Sequence, residues 1–140
     1  MFQDGMKMSG KLTISLNDEV VREIDNLVVT AGKGFVASRM IGTSANVMSH
    51  MAVGSGSTAA AAGDTALGSE LGRTTTSASV SGAVVTYSST FAAGTGTGAV
   101  TEAGIFNASS SGTMLCRTVF SVVNKGASDS MTVSWTVTVS

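Results

Sequence analysis

Catalysis needs titratable or nucleophilic side chains that a fold can bring together, and this sequence offers few. Its one histidine, His50, stands in Met48-Ser49-His50-Met51. That setting inside an apolar run predicts a hydrogen-bonded structural histidine rather than a general base. A nucleophilic serine would sit in a Gly-x-Ser-x-Gly elbow between a strand and a helix. The nearest stretch, Gly54-Ser55-Gly56-Ser57, lies in a loop and lacks that spacing. The single Cys116 falls on the buried face of a predicted strand, where a thiol behaves as a small hydrophobe. One cysteine also rules out an intramolecular disulfide framework.

The remaining polar motifs point the same way. Gly54-Ser55-Gly56 and Gly94-Thr95-Gly96-Thr97-Gly98 lack the Gly-Lys-Ser/Thr of a phosphate loop. They read as connections where the backbone requires positive φ. Asp64, Glu70, Glu102 and Asp129 are scattered, with no Asp-x-Asp-x-Asp-Gly calcium loop, and take turn or cap roles. Glu102 interrupts a strand and is expected to pair with Arg73 or Arg117 across the sheet, for structure rather than chemistry. The sequence therefore predicts no catalytic residue, no metal site and no cofactor.

The elements that hold these residues follow from two periodicities. Leu12, Ile14 and Leu16 alternate with polar residues and predict a short strand. Asn17 or Asp18 can cap a helix, and Val20, Val21, Ile24, Leu27 and Val28 then recur at helical spacing. A second helix is predicted from about Ala31 to Met40. From residue 47 the period changes to two. Strands are expected over Val47–Val53, Thr74–Val80, Ala83–Ala92, Ala99–Asn107, Thr113–Val123 and Met131–Val139. Asp64 is expected to cap a short helical turn reaching Leu71, and Ser81-Gly82 to close a hairpin. Along the last strand Met131, Val133, Trp135, Val137 and Val139 are apolar, while Thr132, Ser134, Thr136 and Thr138 are hydroxylated. Such alternation gives one buried face and one that meets water or a partner. Met114, Cys116, Phe120 and Val122 are expected to share a face in the strand before it.

About seven short strands predict an all-β, jelly-roll-like β-sandwich with one or two short N-terminal helices. Residues 1–11 read as an N-terminal arm and 12–140 as a single domain. Composition agrees: Ser (21), Thr (18) and Gly (17) fill 56 of 140 positions, and charged residues make up 12%. Net charge is −1 with no basic cluster, which argues against nucleic-acid binding by phosphate neutralisation. No run approaches the ~20 apolar residues of a membrane span. Met1 to Lys7 lack the apolar core of a signal peptide, so synthesis in a cytoplasm is expected.

The span from about Asn46 to Ser140 resembles small virion proteins of tailed bacteriophages. The likeness rests on Met51-Ala52-Val53-Gly54-Ser55-Gly56, Ala62-Gly63-Asp64-Thr65-Ala66-Leu67-Gly68-Ser69-Glu70 and Val84-Val85-Thr86-Tyr87. It continues in Thr101-Glu102-Ala103-Gly104-Ile105-Phe106-Asn107, Met114-Leu115-Cys116-Arg117-Thr118-Val119-Phe120 and Val133-Ser134-Trp135-Thr136-Val137. Asn26-Leu27-Val28-Val29-Thr30-Ala31-Gly32 is similar to the helical lead-in of such proteins. The resemblance implies a structural protein without catalytic residues, most like a capsid cement or decoration protein made in the host cytoplasm. It would bind the major capsid protein on the capsid exterior as a homodimer or homotrimer. A tail, baseplate or fibre-associated component is the alternative, and a carbohydrate-binding adhesion module a further one. Phe2, Met6 and Met8 in the N-terminal arm are the candidate partner contacts.

Overall fold

Alternating apolar and hydroxylated residues can satisfy a core and water at once only as strands, and strands dominate the molecule. The computed structural model describes residues 6–42 and 46–140. These form β1 (Met8–Leu16), β2 (Glu19–Val28), α1 (Thr30–Arg39), β3 (His50–Gly54) and β4 (Glu70–Thr75). They continue as β5 (Ser77–Ser81), β6 (Val84–Phe91), β7 (Gly98–Phe106), β8 (Met114–Lys125) and β9 (Met131–Val139). The fold is all-β, and α1 is its single helix among the described residues.

Every strand pair is antiparallel, in the order β4-β3-β7-β8-β2-β1-β9-β6-β5. The two outermost strands, β4 and β5, are successive stretches of one chain, separated only by Thr76. Thr76 N donates to Ser49 O (2.9 Å), its Oγ1 donates to Ser88 O (3.1 Å), and Ser89 Oγ donates to Thr75 O (3.1 Å). The bend is thus stitched to both halves of the sheet. β2 forms the second corner: Glu19 to Asn26 pair with β1, whereas Leu27 and Val28 pair with β8. The sheet is nearly closed on itself. Beside the β1-paired part of β2 the seam toward β8 is crossed by side chains. Arg22 donates to Ser121 O (3.0 Å) and Val122 O (2.7 Å), and Thr118 Oγ1 donates to Asp25 O (3.0 Å). One core fills the interior, with Leu12, Ile14, Val133 and Trp135 from one half against Met51, Val53, Ile105 and Cys116 from the other.

Five expectations about the elements need correction. Residues 8–11, assigned to an N-terminal arm, open β1 and pair with β9. Residues 19–28 form a strand, because Asn17 (φ 49°) and Asp18 (φ 69°) make a two-residue hairpin turn instead of a helix cap. A bulge then inserts Val21 between the Ser15–Val20 and Ile14–Arg22 pairs. The inserted residue shifts the period-two pattern by one and imitates helical spacing. Asp64 to Leu71 form no helix; Asp64 is held by other partners, described below, and Glu70 opens β4. Thr74 to Val80 is a strand that turns at Thr76 and changes partners. Val122 faces outward at 43% exposure while Val123 is buried, since β8 bulges between the Val100–Val123 and Glu102–Val119 pairs.

The expected helix at 31–40 is present as α1. It lies so close to β8 that a Cβ on Gly32 would overlap the backbone of Leu115. Only glycine permits that approach, and it lets Phe35 and Val36 reach the core.

Candidate functional site

The two halves of the sheet present very different outer faces. Outside β3, β7 and β8, the loop over residues 55–69 is held down by a buried ionic cluster. Glu102 on β7 is 0% exposed. Its Oε2 accepts from Gly56 N (2.6 Å) and Ser69 N (2.8 Å), and its Oε1 accepts from Gly68 N (2.7 Å). Arg117 on β8 donates to Glu102 Oε1 from Nε (3.1 Å) and Nη2 (2.9 Å). The same guanidinium reaches Asp64 Oδ2 (2.9 Å) and Thr58 O (3.0 Å). Burial alone would push the Glu102 carboxyl up. The N–H groups of Ser69, Gly68 and Gly56, with Arg117, outweigh it and hold the carboxyl below the usual glutamate range. The Ala61 N–H lowers Asp64; burial opposes that shift and Arg117 adds to it.

The glycine-rich segment is therefore an anion nest, but its anion is a carboxylate of the same chain. A Cβ on Gly54 or Gly56 would collide with Glu102 Oε2. This corrects the expectation of positive φ at these two positions: close approach is what demands glycine there. Gly94 (φ 86°), Gly96 (φ 66°) and Gly98 (φ 138°) do take positive φ as expected. Glu102 pairs with Arg117, one of its two expected partners. Arg73 pairs with Glu70 (2.7 Å), donates to Ala108 O and Ser111 O (both 2.9 Å), and lies 3.9 Å above the Phe106 ring.

The outer face of β1, β9, β6 and β5 carries no such cover. Cross-strand pairing aligns hydroxyl residues in rows: Thr13, Ser134, Ser88 and Ser77 in one, Ser15, Thr132 and Thr90 in another. A third row runs from Lys11 through Thr136 and Thr86 to Ser79. Rows of this kind repeat about every 6.8 Å along the strands and about 4.8 Å across them. None of these side chains is buried, while the alternate residues Leu12, Ile14, Val133 and Trp135 are fully so. Hydroxyls both donate and accept, and here they also bond each other and the backbone: Thr90 Oγ1 lies 3.3 Å from Thr132 Oγ1, and Ser77 Oγ donates to Ser88 O (3.2 Å). The surface is regular, uncharged over most of its extent and short of flexible side chains.

At one end of β1 lies a groove of about 460 Å³, lined by Met6, Lys7, Met8, Lys33, Val36, Ala37, Met40 and Val139. Met6 and Met40 are 77% and 81% exposed. Two of the expected contact residues, Met6 and Met8, thus share one surface; Met8 is in β1 opposite Val139. Phe2 lies outside the described residues. Lys33 and Met40 escaped the sequence reading, although positions 33, 36, 37 and 40 have the spacing of one helix face.

His50 is partly exposed, with Ser49 Oγ 2.8 Å from its Nδ1. Among the described residues no carboxylate bonds its ring, and no group of three His, Cys, Asp or Glu is placed to hold a metal. Cys116 is buried, and burial pushes its thiol up, away from the reactive thiolate. Comparison with protein-family models, with curated proteins and with solved structures gives no match to this chain.

Proposed function

We propose that the chain is a structural virion protein that binds the outside of a phage capsid and cements neighbouring major capsid subunits. The observation that carries this reading is the bare hydroxyl face of β1, β9, β6 and β5, backed by a continuous apolar core. A surface without long side chains loses little rotamer entropy when it is covered. Its hydroxyls can meet either donors or acceptors on the lattice. Specific interfaces bury about 1,200–2,000 Å² in total, an area that a sheet face and its rim can approach without a reactive group. Binding the mature lattice alone would stabilise it by linkage.

The test adds purified protein to mature phage heads. Saturable binding over the head exterior and slower heat-induced rupture are expected. Thr136→Lys, which puts a charge on the hydroxyl face, should abolish binding while leaving the fold intact. Density confined to the tail in particle images would replace this reading by a tail or baseplate role. Specific capture of a glycan would replace it by adhesion.

A further inference from the structure

We infer that the groove between β1 and α1 receives the β1–β2 turn of a second copy of this chain, joining copies head to tail. The groove is an apolar trough bordered by two cations. Met8, Val36, Ala37 and Val139 are apolar lining, Met6 and Met40 stand exposed, and Lys7 and Lys33 add positive charge. Neither lysine forms an ion pair among the described residues. Methionine is suited to such a surface, because its unbranched, polarizable side chain adapts to the shape it meets.

The opposite end of β1 carries the complement. The turn exposes Asp18 and Glu19, followed by Val20 at 58% exposure. Asp129 adds a carboxylate at the same end, held by Asn17 Nδ2 at 3.0 Å. The turn is also preorganised. Asn17 N donates to Ser130 O (2.8 Å), and Asn17 Oδ1 accepts from Ser130 N (3.0 Å). A turn already fixed gives up little freedom on docking. β1 spans nine residues, about 30 Å of extended chain. The turn therefore cannot reach the groove of its own molecule, and a second copy must supply it.

The contact is directional. Two copies lying antiparallel make it twice, and a rotation that closes makes a ring. Either arrangement would multiply weak contacts to a lattice. The inference goes beyond the capsid reading and stands or falls in free solution.

The experiment is sedimentation of the full-length protein over a range of concentration and salt. Wild type should self-associate at low salt and dissociate near 1 M, where screening shortens to about 3 Å. K7E/K33E alone and D18N/E19K alone should each weaken association about tenfold or more. Asn is chosen at position 18 because it tolerates the left-handed backbone. An equimolar mixture of the two variants should recover a mixed complex. A wild type that stays monomeric throughout overturns the proposal, as do variants that associate like wild type. If K7E/K33E keeps the wild-type oligomer but loses binding to phage heads, the groove serves the capsid instead. The head-to-tail contact then fails while the capsid role stands. Circular dichroism checks folding, and should a reversed variant misfold, the milder D18N/E19Q decides, an unchanged dissociation constant overturning the proposal.

Discussion

The two outer faces of this sheet solve the same physical problem in opposite ways. The face of β3, β7 and β8 places a glutamate and an arginine under a loop, where both carboxylate oxygens and all three guanidinium nitrogens have partners. The face of β1, β9, β6 and β5 has no lid and uses short hydroxyl side chains that tolerate water on their own. A buried charge is stable only while its partners remain, whereas an exposed hydroxyl asks nothing of its neighbours. The covered face should therefore be brittle to substitution and the bare face forgiving. Stability is concentrated on one side and freedom to evolve contacts on the other.

The largest effect should come from Arg117→Ala, which strips the buried Glu102 carboxylate of its cation and leaves it only the Gly56, Gly68 and Ser69 N–H groups. It should cost about 3–5 kcal/mol, read from chemical denaturation. Gly56→Ala drives a methyl group into the Glu102 carboxylate and should cost about 1–3 kcal/mol, with the 55–69 loop exchanging its amide protons faster. Acid should act as a graded form of the first change. The folded Glu102 carboxyl titrates below its ordinary value, so its contribution is complete above that value and is lost as pH falls through the depressed one. Protection of the Gly56, Gly68 and Ser69 amides should decline over that acid range, ahead of the amides in β9. Smallest of all, Ser134→Ala and Thr136→Ala should shift stability by no more than about 0.5 kcal/mol. A large loss there, or a small one at Arg117, would break the contrast between the faces.

The same contrast explains what could be read from sequence. β9 runs over Met131–Val139 as its alternation required, because a strand with one wet face advertises itself residue by residue. The β5–β6 hairpin, which turns at Gly82-Ala83, one residue beyond the expected Ser81-Gly82, and the Glu102–Arg117 pair were legible for similar local reasons. β2 was not, since the bulge at Val21 broke the alternation at the point where it would have been counted. The loop at 55–69 was opaque because its fold depends on a carboxylate 33 or more residues away. Half of the groove was visible in Met6 and Met8. The helical half was not, because exposed apolar residues on a short helix look the same whether or not a strand end lies beside them.

The strand that bends at Thr76 has a consequence for how the protein comes apart. It belongs to both halves of the sheet, and β2 does so at the opposite corner. Neither half can melt while the other survives, since losing one would strip each shared strand of its ladder on that side. Unfolding should be a single concerted event, with calorimetric and van't Hoff enthalpies equal.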